Sequence, residues 1–218
     1  MDRIEKLCRY LDYCTTFADV GCDHGYCTWY MLENGMCESA VISDISAQSL
    51  NKAENLLKSY IQKGVVTSVC ADGLEGVNKD VNQVLIAGMG GEEIISILKK
   101  SFIPENFVLQ PMKNVRAVRE FLLEKGAAIS VDEPFEFGGK FYYVIKGKNR
   151  GKSSIYGGQQ LDFGLNLSGE TTRAYILTEL KKKLSYLERN LNEDVRCRFE
   201  AEVRQMKEVL KNESGRGL

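Results

Sequence analysis

Short apolar and β-branched runs recur along the N-terminal part of the chain: Phe17-Ala-Asp-Val-Gly21, Ala40-Val-Ile-Ser-Asp44, Thr67-Ser-Val-Cys-Ala71, Gln83-Val-Leu-Ile-Ala87 and Asn106-Phe-Val-Leu-Gln110. Each reads as a buried strand. Segments able to form helices follow them, at residues 25–34, 46–63, 91–100 and 113–125, with a shorter link after the third strand. Ile4, Leu7 and Leu11 recur at helical spacing, which predicts a further helix over residues 2–13. Strands alternating with helices predict an α/β fold with a mainly parallel sheet covered on both faces, and such sheets bind ligands at the carboxyl ends of their strands.

Beyond residue 125 the period changes. Ile129-Ser-Val-Asp132 and Phe141-Tyr-Tyr-Val-Ile145 are joined through Gly138-Gly139 with no room for a helix, so an antiparallel hairpin is expected to end the sheet. The Gly- and Lys-rich stretch 146–152 has the composition of a loop or linker, placing the expected domain boundary at residues 152/153. From about Thr171 the chain turns helical, with Leu177, Leu180, Leu184, Leu187 and Leu191 in one stripe. A second stripe, Val195, Phe199, Val203, Met206 and Leu210, follows a break at Asn192-Glu-Asp194. Two narrow seams predict a C-terminal helical coiled-coil hairpin over part of residues 153–218.

Composition narrows the class more than the function. A hydrophobic share of 44% with 27% charged residues fits a globular protein, and no apolar run approaches the ~20 residues of a membrane span. The N-terminus lacks the apolar core of a signal peptide, so a cytoplasmic protein is expected. Seven cysteines with no C-x-x-C spacing read as buried thiols, and no metal is expected. The net charge of -1 leaves any nucleic-acid contact to local basic clusters.

The chemistry concentrates at predicted strand tips. Asp19-Val-Gly21-Cys-Asp23-His-Gly25-Tyr joins the first strand to a helix, and glycine there lets the backbone approach a ligand. The dinucleotide pattern G-x-G-x-x-G is absent, and Asp23 would repel a diphosphate while attracting an ammonium group. The plainer alternative makes Asp23 a helix N-cap. Asp44 ends the second strand, where an acid chelates ribose hydroxyls, and Asp72-Gly73 ends the third. Three acids at consecutive tips repel one another unless a ligand uses them. Ala87-Gly-Met-Gly90-Gly follows the fourth strand and leaves room for a flat substrate, and Gln110 before Pro111 faces the site from the fifth.

The segments Asp-Val-Gly-Cys-Asp-His-Gly-Tyr, Ala-Gly-Met-Gly-Gly and Leu-Gln-Pro, in this order and spacing, resemble the bacterial tRNA (adenine(22)-N1)-methyltransferase family over most of the chain. The resemblance implies a Rossmann-like class I methyltransferase domain with a coiled-coil appendage, S-adenosyl-L-methionine as donor, and tRNA as substrate. It carries Gly21, Asp23, Asp44, Asp72, Gly88 and Gly90 onto donor-site positions, with His24, Ile45, Gly73 and Met89 beside them. The chain departs from the family pattern in Cys27-Thr28, where Leu-Pro is usual, and in Met112, where Asn is usual, both on the substrate side.

Adenine N1 is mostly unprotonated at neutral pH, so little acid–base chemistry is required, and Asp23 is expected to stabilise either the donor or the cation that develops on the ring. Tyr26 and Trp29 are candidate base-stacking residues. Lys146, Lys148, Arg150 and Lys152, with Lys113, Arg116, Arg119 and Lys181-Lys-Lys183, are candidate phosphate contacts. The alternatives are a methyltransferase for another RNA, a protein or a small molecule, a nucleotide-dependent oxidoreductase, and a non-catalytic RNA-binding adaptor.

Overall fold

A computed structural model describes residues 3–151 and 155–212. The elements run α1 (Arg3–Cys8), β1 (Cys14–Val20), α2 (Tyr26–Glu33), β2 (Cys37–Asp44), α3 (Ala47–Leu56), α4 (Lys58–Gln62), β3 (Val66–Cys70), β4 (Gln83–Met89), α5 (Gly91–Lys100), β5 (Asn106–Pro111) and α6 (Val115–Glu124). The hairpin β6 (Ala128–Phe137) and β7 (Lys140–Lys148) follows, then α7 (Gly158–Phe163), α8 (Glu170–Leu187) and α9 (Glu193–Asn212).

The seven strands lie in the order β3-β2-β1-β4-β5-β7-β6. Strands β1 to β5 pair in parallel, and β7 runs antiparallel to β5. This is the α/β fold with a mainly parallel sheet that the alternating pattern predicts, closed by the expected antiparallel hairpin, and it agrees with the Rossmann-like domain that the resemblance implies. The chain leaves β1 toward β2 on one side and returns to β4 on the other, which makes the carboxyl ends of β1 and β4 the topological switch point. Phe17, Ile42, Val84, Leu85, Ile86 and Val108 are fully buried along these strands, and Leu50, Ile94 and Leu122 of flanking helices are buried too. Apolar residues on both strand faces are what a sheet covered on two sides demands.

Several boundaries differ from expectation for identifiable reasons. The first helix stops at Cys8, where Tyr10 and Leu11 amides bond back to Leu7 and Cys8 carbonyls in a turn. Leu11 is still buried, which is why its spacing mimicked a longer helix. Residues 46–63 form two helices that meet at the buried Leu57. The stretch expected to be a loop from residue 146 is strand through Lys148, because Lys146, Gly147 and Lys148 pair with Val108, Phe107 and Asn106. Lys152 lies outside the described residues.

The chain divides into two compact units: Met1–Asp132 with Tyr142–Ser154, and Glu133–Phe141 with Ile155–Leu218. The second has its own small core of Phe163, Ile176, Met206 and Val209, with Tyr175, Leu180 and Leu210 packed against it. Within it α8 and α9 pair, Lys183 bridging to Glu202 and lying over the Phe199 ring at 4.7 Å. Asn192 accepts the Val195 amide at 2.9 Å, so the expected break is a helix cap. The seam itself is rotated: Leu177 and Leu184 are exposed, and Ile176 takes the buried position. Helix α7, too short to register as a periodic pattern, was not anticipated, and it supplies Phe163 to this core.

Candidate active site

Parallel strands deliver the acids to one edge. At the end of β1, Gly21 adopts φ 70° and donates its amide to the Ser43 carbonyl at 2.7 Å, turning the chain across the tip of β2. A Cβ at Gly21 would also run into the Met89 methyl. The turn continues through Asp23 at φ 45° before α2 starts. Helix α2 is capped by Gly25 with no side-chain cap, so the Asp23 carboxylate is not its N-cap. That carboxylate instead meets His24 Nδ1 at 2.7 Å and Lys52 Nζ at 3.6 Å. Slight burial pushes the Asp23 carboxyl up, but the His24 hydrogen bond and the His24 and Lys52 charges outweigh it and hold it below the usual range.

Asp44 at the end of β2 is held by two amides, accepting from Asp23 N at 3.2 Å and Ser46 N at 2.8 Å. Beside it Ile45 is 72% exposed and lines the cleft, an apolar surface that water does not favour but a flat ring does. Asp72 after β3 bonds to Lys100 Nζ at 2.6 Å, and this carboxylate raises the Lys100 pKa. Gly73 sits against Ile97 of α5. Gly21, Asp23, Asp44, Ile45, Asp72 and Gly73, with Gly88 and Met89 from β4, His24 from the turn before α2, Tyr26 from its start, and Gln110 from β5, line one cleft of about 570 Å³. That size suits a small molecule.

The β4–β5 ladder breaks register between Ala87 and Met89. Gly88 is the extra residue, at φ 78°, and a Cβ there would meet nothing within 4 Å. The bulge therefore opens space at the cleft wall, where glycine is required by the backbone and not by crowding. Gly90 does not line the cleft but caps α5, with the Lys113 stem lying across it. Trp29, one turn beyond Tyr26, is exposed outside the cleft, and Tyr26 stacks parallel to His24 with ring centroids 5.4 Å apart.

The basic candidates separate. Lys146 bonds to Asp12 at 2.7 Å, and Lys148 pairs with Asn106 at the amino end of β5. Lys146, Lys148 and Arg150 thus stand at the sheet edge opposite the acid tips. Arg119 is not a phosphate contact: it is 0% exposed, binds Asp132 through two hydrogen bonds at 2.6 and 2.8 Å, and lies 4.6 Å from the Tyr143 ring centroid. Arg116 pairs with Glu120, Lys182 with Glu179, and Lys113 is exposed on the loop after β5.

Two groups of cleft residues escaped the sequence reading. Asp19 is 5% exposed and accepts from the Thr28 hydroxyl at 2.9 Å. Burial pushes its carboxyl up to about 6, with the Asp44 charge adding to the rise and Thr28 hydrogen bonds opposing it. The signal was present: an acid between Ala18 and Val20 in a strand buried on both faces is costly unless used. Arg3, Ile4 and Leu7 of α1 also line the cleft, although their spacing read only as a core-facing helix. Among the described residues no group of three or more His, Cys, Asp or Glu side chains is placed to hold a metal ion, and no helix is long and apolar enough to cross a membrane.

Residues 1–145 match the model of a methyltransferase domain family. A Mycoplasma pneumoniae protein named "Putative tRNA methyltransferase" is 32% identical over 164 residues, covering 74% of this chain and 76% of that protein. The Bacillus subtilis tRNA (adenine(22)-N(1))-methyltransferase is 27% identical over 168 residues, covering 75% of this chain and 71% of that protein. Among solved structures, Mycoplasma capricolum TrmK in complex with S-adenosyl-homocysteine aligns with a TM-score of 0.86 at 21% identity, over 96% of each chain. The B. subtilis m1A22 tRNA methyltransferase TrmK aligns with a TM-score of 0.82 at 22% identity, over 95% of this chain and 97% of that one.

Proposed function

The chain belongs to the methyltransferase-domain family and, within it, to the tRNA (adenine(22)-N1)-methyltransferases, and on that premise we propose that it methylates N1 of adenine 22 of tRNA with S-adenosylmethionine. The observation that carries the reading is the acid-lined cleft at the switch point, where Asp19, Asp23, Asp44 and Asp72 converge from three strand ends. Such a set repels a diphosphate and suits a ligand that offers an ammonium group, two ribose hydroxyls and an amino-purine.

The donor set fits S-adenosylmethionine, which when bound supplies a methyl group on a sulfonium. Asp44, its carboxylate already fixed by two amides, accepts from the ribose hydroxyls. Ile45 presents an apolar face to the purine ring, and Asp72 accepts from its amino group. Asp19 faces the ammonium, which favours its ionised form. Gly21 and Gly88 keep the cleft walls free of side chains. Asp23, ionised and exposed beside the Gly21 turn, stabilises positive charge at the reacting end, with Tyr26 and Gln110 on the substrate side.

Residues 1–152 carry this chemistry, and within 153–218 the helices α7, α8 and α9 supply a surface for the tRNA body. Lys148 and Arg150 face phosphates remote from the target base, since a tRNA is far larger than the cleft. The protein acts in the cytoplasm, with its substrate. The test is incubation with labelled donor and, separately, unmodified tRNA, bulk protein and small metabolites. Label is expected in tRNA, as N1-methyladenosine. Label in protein or metabolites alone would replace the reading with another methyltransferase class, and no label transfer with intact donor binding would leave an RNA-binding adaptor.

A further inference from the structure

Gln110 is the most deeply buried polar side chain on the substrate side of the cleft, 1% exposed at the tip of β5. Its register partner is Ala87, directly before the Gly88 bulge, so it stands beside the open space the bulge creates. Its Nε2 donates to the Pro111 carbonyl at 3.2 Å and lies 3.4 Å from Met112 Sδ. A backbone carbonyl can only accept, so the amide orientation is fixed by chemistry: nitrogen toward Pro111, oxygen on the other branch. Of the amide's two ends, Oε1 is the one that this anchoring leaves to a ligand.

Resting on the tRNA-methyltransferase reading, we propose that Gln110 Oε1 accepts a hydrogen bond from the N6 amino group of the target adenine, and that this contact both selects adenine and lowers the barrier to transfer. Selection follows from the group at ring position 6. Adenine offers a donor there, and guanine offers an oxygen that would face Oε1 acceptor to acceptor at a side chain only 1% exposed, leaving both unpaired. An acceptor on N6 leaves the neighbouring N1 lone pair unencumbered.

The catalytic part follows from where charge goes. The N1 lone pair forms the new bond to the methyl carbon while the methyl–sulfur bond breaks and its electron pair stays on sulfur. The positive charge passes to the adenine and is shared between N1 and N6. The N6 hydrogens become stronger donors as the bond forms, so an acceptor already fixed there binds the transition state more tightly than the ground state. Preorganisation by Pro111 and Met112 means that the amide need not reorient at that moment.

The test combines two variants with two substrates. Gln110→Met keeps the side chain's length and removes the acceptor; Gln110→Glu keeps an oxygen in place and, protonated, still donates to Pro111. Single-turnover rates are measured on tRNA carrying adenine or unsubstituted purine at the target position, the latter lacking the N6 amine. Wild type is expected to prefer adenine by about a hundredfold more than Gln110→Met does, the difference appearing in the transfer rate and not in tRNA affinity. Comparing preferences cancels the lower intrinsic reactivity of purine. Gln110→Glu is expected to retain the wild-type preference, and donor affinity is expected to be unchanged in both variants. Equal adenine-over-purine preference in wild type and Gln110→Met overturns the proposal. Should Gln110→Met fail to fold, loss of the preference in a folded Gln110→Glu overturns it instead. Absence of any methylation by wild type refutes the underlying reading, a result distinct from either.

Discussion

Asp19→Asn separates what the cleft needs from what the fold prefers. Asp19 is buried at the floor of the cleft, and burial raises its carboxyl from 3.8 to about 6. A carboxyl with a raised folded-state pKa holds its proton more tightly folded than unfolded. The stability this gives is complete below the unfolded pKa and is lost as pH rises through about 6. At neutral pH the ionised group then costs the unliganded protein roughly 3 kcal/mol, from about two pKa units at ~1.4 kcal/mol each. Asparagine carries no such charge, and its amide oxygen can still accept from the Thr28 hydroxyl. The variant is expected to be more stable than wild type by a margin that widens by roughly 2 kcal/mol between about pH 4.5 and pH 8. Urea unfolding at the two pH values reads this directly. The same variant is expected to bind S-adenosylmethionine more weakly, because the ammonium loses its counter-charge. In wild type, donor affinity is expected to fall as pH drops through about 6, with proton release on binding there. A stability margin that stays constant with pH would refute the argument that burial of an ionising Asp19 destabilises the unliganded fold.

Three further substitutions probe other links. Asp23→Asn, at a left-handed position that asparagine also tolerates, is expected to slow transfer by about a hundredfold at an unchanged melting temperature, and wild-type single-turnover rates would remove Asp23 from the mechanism. In Gly91→Ala the new methyl would lie 2.7 Å from the Asn114 carbonyl oxygen and 2.8 Å from that of Lys113, so a loss of about 1–3 kcal/mol in denaturant unfolding is expected, and a neutral result would mean that the loop after β5 yields freely. Arg119→Met withdraws the guanidinium from the buried Asp132 carboxylate and is expected to destabilise by about 3–5 kcal/mol, much of it recovered by adding Asp132→Leu; an equally unstable double variant would show that packing, not charge, dominates there.

The parallel strands and their acid tips were legible because they rest on local pattern, β-branched runs bounded by Gly, Asp and Pro defining strands wherever both faces are buried, whereas the strand order follows from tertiary pairing. Asp44 and Asp72 announce themselves as acids at strand ends. Asp19 gave only the weaker signal of an acid inside a buried strand, and its place in the cleft depends on which face of β1 looks along it, a tertiary fact. Arg119 misled for the same reason: on a helix following a strand it resembles a surface cation, and only the position of Asp132 on β6 shows that it is internal. Lys146 and Lys148 misled by composition, since a Gly-Lys run reads as a loop unless its pairing with β5 is known. Leu177 and Leu184 kept a regular spacing while Ile176, one position away, took the core, because a seam is set by its partner helix.

The identity of the methylated atom separates an adenine-N1 methyltransferase from every other methyltransferase. Methyl on N1 blocks Watson–Crick pairing, so reverse transcription across the product halts beside the modified base. Incubation of unmodified tRNA with the protein and S-adenosylmethionine is expected to produce a donor-dependent stop at adenine 22, accompanied by N1-methyladenosine in the nucleoside digest. A stop at another position, or methylated nucleoside with no stop at all, would contradict the account.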